Sequence, residues 1–167
     1  MAFKVPTGGQ FENPEPGSYI ARCYGFIDLG TQKHQGIRGQ KDWLSRDGRF
    51  LFELPTTLMK GEFNPEAKGK PHVVSVAMKL SLAPTAKLRK FIKGWRGKDL
   101  TKEQAEAFQI SKIIGAPGRL SLVQSEDGEF INIEGISKLN DEELRAIPAM
   151  INKPIFFSLD PEEFKRE

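Results

Sequence analysis

Residues 118–139 read GRLSLVQSEDGEFINIEGISKL. Two alternating runs, Leu120 to Gln124 and Phe130 to Ile136, flank Glu126-Asp127-Gly128. Asp-Gly between alternating runs is a strong hairpin signal, because glycine takes the positive φ that a tight turn needs. The stretch therefore reads as two antiparallel strands, the fourth and fifth of the chain.

Upstream, from Thr85, the apolar period is 3.6. Leu88, Phe91, Ile92 and Trp95 fall at i, i+3, i+4 and i+7, one stripe of an amphipathic helix that ends at Gly94–Gly97. Thr101-Lys-Glu-Gln has capping-box spacing, so a second short helix starts there and turns Ala105 and Phe108 inward. Before the helices, His72 to Leu82 alternates, with Val74, Val76 and Met78 on one side and Ser75, Ala77 and Lys79 on the other: a third strand. Arg49 to Pro55 alternates over Phe50, Phe52 and Leu54 and is closed by proline, as a second strand is. Ser18 to Gly30 is the first, with Ala21 and Cys23 on one side, Arg22, Tyr24 and Phe26 on the other, and Gly25 marking a bulge. Between these two strands, Gly30 to Gly48 has no sustained apolar period and reads as a long functional loop or an irregular hairpin end.

The order strand, strand, strand, helix, strand, strand is that of the OB-fold, a mainly β five-stranded barrel with a helical insertion between strands 3 and 4. Another small barrel or an α+β sheet with one helix gives similar runs. The domain spans 18–139. Residues 1–17, punctuated by Pro6, Gly8, Gly9, Pro14, Pro16 and Gly17, form an extended arm. Residues 140–167 form an acidic C-terminal extension with a short helix over Asp141 to Ile147, an apolar run Ile155 to Leu159 and the polar end DPEEFKRE.

A chain of 167 residues suits one such domain. No uncharged apolar run approaches the roughly 20 residues of a membrane helix. The single cysteine, Cys23, closes no intramolecular disulfide, and the start MAFKVPTGGQ lacks a secretory h-region, so the cytoplasm fits best.

The formal net charge of +3 hides a separation of charge. Residues 1–124 carry 20 Lys/Arg against 11 Asp/Glu, while residues 125–167 carry 5 against 11. From Ala67 to Lys98 there are nine Lys/Arg and no acid. A basic body of this kind points to a polyanion. Single-strand binding needs cations for phosphates and exposed rings for bases. The strand 1–2 connection offers both, in Lys33, His34, Arg38, Lys41, Trp43, Arg46 and Arg49. A tryptophan in so polar a segment either stacks on a ligand or folds back to cap the barrel. Arg22, Tyr24 and Phe26 on the first strand, Lys79 on the third, and Lys87, Arg89, Lys90, Arg96 and Lys98 around the helix complete the candidate set. Phe91 and Trp95 belong to the helix's core stripe.

Enzymatic readings find little material. There are two histidines, His34 and His72, in no metal-binding spacing, and no GxxxxGK[ST] or GxGxxG. No catalytic residue, metal or cofactor is expected. The nearest exception is a metal-dependent nuclease drawing on Asp28, Asp42, Asp47 and Glu53, acids interleaved with bases that can pair with them. The other competing reading is a replication or virion accessory module that uses its basic body and acidic end for protein contacts.

The segments GSYIAR (17–22), IDLGTQ (27–32), FELP (52–55), KLSL (79–82), KLRKFIKGWRGK (87–98) and FINIEGI (130–136) together resemble a group of bacteriophage single-stranded DNA-binding proteins. The likeness spans Gly17 to Lys138. It implies an OB-fold that coats single-stranded DNA in phage replication or recombination, in the host cytoplasm, with single-stranded DNA or RNA as ligand. It also implies a C-terminal region open to self-association or to replication enzymes. Two features depart from the pattern: the end DPEEFKRE is of mixed charge, and the hairpin tip Glu126-Asp127 is acidic.

Overall fold

A strand continues for as long as each residue finds a ladder partner, whatever its polarity. In the computed structural model of this protein, which describes residues 12–159, the first two strands run well past their apolar stretches. β1 is Gly17–His34 and β2 is Trp43–Leu58, paired antiparallel out to His34 opposite Trp43. The segment 30–48 is therefore mostly hairpin, and only residues 35–42 form its loop. β3 (Pro71–Lys79), β4 (Pro117–Gln124) and β5 (Ile131–Ser137) complete a path in the order β3-β2-β1-β4-β5, antiparallel at every step. β3 and β5, at the two ends of this path, come within 8 Å of each other without forming a ladder. The architecture is mainly β, with an open sheet rather than a hydrogen-bonded closed barrel.

A sixth strand joins this path. The β4 ladder on β1 ends at Arg22, and the backbone of Cys23 still pairs with Ala116 and Gly115, so the edge of β1 stands open only beyond Cys23. β6 (Ile155–Phe157) takes that edge, parallel to Gly25–Ile27. The expectation of an apolar run without a strand assignment is thus extended: part of 140–159 belongs to the sheet. Residues 1–11 of the expected arm and the polar end 160–167 lie outside the described residues.

The bulge expected at Gly25 is present, as a register shift between Cys23 and Gly25. One extra residue reverses the alternation. Ala21 and Cys23 face the core before it, Phe26 and Asp28 after it. Phe26, expected on the outward face with Arg22 and Tyr24, is consequently only 2% exposed, with its ring 5.2 Å from that of Phe50.

Helix α1 (Lys87–Arg96) buries the predicted stripe, Leu88, Phe91, Ile92 and Trp95, against β5 and β3. Each such side chain contributes roughly 1.5–3 kcal/mol. Trp95 lies 5.5 Å from Phe52, and its indole N–H donates to the Pro117 carbonyl at 2.7 Å. Gly97, at φ 79°, ends the helix in the left-handed conformation that glycine adopts without strain, and its N–H caps the Lys93 carbonyl. α2 (Lys102–Glu106) opens with the expected capping box: Thr101 Oγ1 accepts from Gln104 N, and Gln104 Oε1 accepts from Thr101 N. α3 (Asp141–Ala146) has a second box, from Asn140 and Glu143, and an ion pair from Glu143 to Arg119 on β4. No helix among the described residues is long and apolar enough to cross a membrane.

Candidate nucleic-acid interface

β2 alternates without interruption from Trp43 to Leu54. Phe50, Phe52 and Leu54 turn to the core, so Trp43, Ser45, Asp47 and Arg49 share the opposite side. β3 adds Lys79 opposite Asp47 and Ala77 opposite Arg49, and Arg49 Nη1 donates to Ser75 Oγ at 2.9 Å. From β1, His34 lies opposite Trp43, and the two rings stack at 5.1 Å with 15° between their planes. His34 Nε2 is 2.7 Å from Ser45 Oγ and 3.2 Å from the Asp47 carboxylate, while the Ser45 hydroxyl donates to Asp47 at 2.7 Å. This chain of contacts fixes the imidazole and, through it, the indole. Trp43 is 49% exposed, so its ring is not folded over the core.

The hairpin loop beside Trp43 carries cations. Lys33, Arg38 and Lys41 are exposed. Lys33 lies 3.6 Å from Asp42, but a pair this solvated contributes little. Arg38 occupies a left-handed position, φ 58°, at the loop tip. Arg38, Lys41, Lys79, Lys87, Lys90 and Lys98 are exposed and make no ion pair among the described residues. Lys87, Lys90 and Lys98 lie on α1 and the loop after it.

Several expected ligand contacts are instead occupied within the fold. Arg46 projects from the other side of β2 and pairs with Asp28, whose side chain is 1% exposed. Arg22 Nε donates to the Pro148 carbonyl and its Nη1 to that of Gly115, both at 2.8 Å. Arg89 is bound by Asp99 and by the Leu82 and Leu100 carbonyls. Arg96 lines a cavity between α1 and α3. Tyr24 is half-buried, and burial, with Glu53 nearby, pushes its hydroxyl above the ordinary tyrosine value. The residues brought together are thus Trp43, Arg49 and Lys79 on one face, with Lys33, Arg38 and Lys41 on the adjoining loop. Phe26, Arg22, Arg46, Arg89 and Arg96 stand apart from them.

The four acids of the nuclease reading do not converge. Asp28 is held by Arg46, Asp42 accepts from Gly36 N at 2.9 Å, Asp47 faces Ser45 and His34, and Glu53 is fully buried. Among the described residues no three His, Cys, Asp or Glu side chains are placed to hold a metal ion. Burial pushes the Cys23 thiol up to about 12, which makes it a poor nucleophile.

Burial opposes the charge of Asp28, but hydrogen bonds from Arg46 and from the Gly30 and Leu159 amides outweigh it and hold its carboxyl below the usual carboxylate range. A depressed folded value means that the stabilisation is present above the unfolded value, about 3.9, and is lost as pH falls through the folded one. Asp28→Asn should therefore cost about 1–2 kcal/mol at neutral pH, and urea unfolding should show the two proteins converging as the pH is lowered below about 3.9. An unchanged difference at acid pH would mean that the carboxylate charge contributes nothing.

The part of the site missing from the nucleic-acid candidates is Ser45 and Asp47, which fix His34, and the stacking of His34 on Trp43. Hydrophobic periodicity cannot find a polar ladder. The available signal was symmetry about the loop, where His34 and Trp43 are equidistant from Arg38 and Gly39. Comparison of the chain with protein-family models, curated proteins and solved structures found no match.

Proposed function

We propose that this protein binds single-stranded DNA without sequence preference, on an OB-type barrel, in the phage replication or recombination role that its sequence resemblance implies. The barrel reading is supported by the path β3-β2-β1-β4-β5, whose end strands lie close together, and by α1, which connects β3 to β4 and packs against both β3 and β5. The observation that carries the binding reading is the half-exposed Trp43 held face-on by His34, on the same face as Arg49 and Lys79 and beside a cationic loop. His34 covers one face of the indole, and the half of the residue that stays exposed offers a base its surface.

Titration of the protein's tryptophan fluorescence with oligo-dT tests this. With Arg38, Lys41, Arg49 and Lys79 each neutralising one phosphate, log K should fall against log salt with a slope of about −3. Because His34 already covers one face of the ring, Trp43→Ala should cost about 1–2 kcal/mol of binding, in the lower part of the range for a stacked base. Undetectable binding at low salt, or binding indifferent to salt, would overturn the reading. Titrations with duplex DNA and single-stranded RNA define the ligand further.

The accessory-module reading rests on one observation, the exposure of Ile151, Ile155, Phe156, Phe157 and Leu159 on and around the C-terminal strand β6. Its mark on a sizing column is assembly that ignores added oligonucleotide.

A further inference from the structure

A cavity of about 400 Å³ lies between α1, the 3-10 turn Ile110–Ile113 and α3, and none of its lining residues belongs to the outward face of β2 and β3. Phe108, Ile113 and Leu144 supply apolar wall, and Arg96, Lys112 and Lys138 are its only charged lining groups. Arg96 Nη1 is buried with no hydrogen-bond partner, the only such side-chain atom among the described residues. Lys112 and Lys138 are exposed, and Leu144 is 39% exposed. The Trp95 N–H is already satisfied by Pro117, so the indole adds apolar surface rather than a donor.

A guanidinium N–H removed from water and left unpaired is unfavourable, and an anion is the partner that best relieves it. A volume of this size encloses a small apolar group, with a few polar groups fixing its orientation. We propose that this cavity docks an acidic segment of a partner protein, seating one bulky apolar side chain against Phe108, Ile113 and Leu144 and a neighbouring carboxylate on Arg96. The two lysines favour a peptide over a free fatty carboxylate, because a single head group leaves them unmatched whereas acids flanking an apolar residue match all three cations. A nucleobase fits poorly: its edges need acceptors as well as donors, and the only side-chain polar groups lining the cavity, apart from the satisfied indole, are cationic donors.

This inference does not rest on DNA binding. The probe is a fluorescein-labelled peptide, Glu-Glu-Leu-Phe-Glu-Glu, followed by anisotropy on the full chain. Trp95 emission in a Trp43→Phe background gives a local readout. Saturable binding is expected, weakened about tenfold by Arg96→Met and by replacing the peptide's Phe with Ala, and abolished by Leu144→Glu. Arg96→Met keeps the methylene packing and removes only the unpaired group, so its melting temperature should not fall. Lys112→Glu, on the exposed rim, tests the charge match without touching the buried wall and should weaken binding several-fold. The proposal is overturned by no saturable binding up to about 1 mM, by equal binding of the Ala peptide, or by equal binding to Lys112→Glu. It is also overturned if laurate binds as tightly as the peptide and is insensitive to Lys112→Glu, or if oligo-dT displaces the peptide.

Discussion

Glu53→Ala should lower stability by about 3–5 kcal/mol and detach the C-terminal strand from the sheet. Glu53 sits in the middle of β2, 0% exposed. Its carboxyl oxygens accept from the Ile151 amide at 3.0 Å, from the Asn152 amide at 3.4 Å and from Asn152 Nδ2 at 3.4 Å. Opposite it in the ladder, Arg22 donates to the Pro148 carbonyl, so two facing side chains bind one stretch of backbone, 148–152. Alanine removes an acceptor that serves three part-buried donors, and with it the attachment of 151–152 to β2. β6 follows directly, and with it the contact of Phe156 with Phe26 at 5.7 Å. Urea unfolding measures the loss, and hydrogen exchange at the Ile151 amide should accelerate. The Tyr24 hydroxyl, raised by burial and by Glu53, should also titrate closer to an ordinary tyrosine. A loss under about 1 kcal/mol would show that the tail is only loosely docked.

Gly94→Ala should be the second large loss, about 3 kcal/mol, although a helix interior normally gains about 1 kcal/mol from that exchange. Gly94 lies inside α1, not at its end as the glycine pair suggests. A Cβ there would stand 2.4 Å from the Ile136 carbonyl oxygen of β5. Backbone cannot rotate away as a side chain can. The helix has to lift, loosening Leu88, Phe91, Ile92 and Trp95 together. Thermal and urea unfolding should both show the destabilisation. A stabilised variant would mean that α1 does not seat on β5 this closely.

The contrast between Gly94 and Gly97 shows where the sequence was readable. Gly97 acts locally, through its own φ, and belongs where the pattern places it. Gly94 acts on a strand some forty residues away, and nothing nearby in the chain announces that. The β4–β5 hairpin, the α1 stripe and the Thr101 capping box were legible for the same reason, since each rests on residues within one or two turns of each other. The ends of β1 and β2 were not, because polar ladder residues such as His34 and Trp43 carry no apolar rhythm. Arg46 and Trp43 looked alike as members of one basic stretch. Alternation along β2 sends Arg46 to Asp28 and leaves Trp43 on the outward side.

By itself the sequence determined a mainly β chain with two helices between the third and fourth strands and a third after the fifth, a basic body, and a tryptophan set among cations. Those features depend on composition and short-range period. Tertiary structure alone decided that a one-residue bulge puts Phe26 in the core, that Arg22, Arg46 and Arg89 are held within the fold, that His34 braces Trp43, and that residues 155–157 complete the sheet. The physical reason is the same in each case. A side chain's partner is set by register and by which sheet edge stands open, and both are properties of strands distant in sequence.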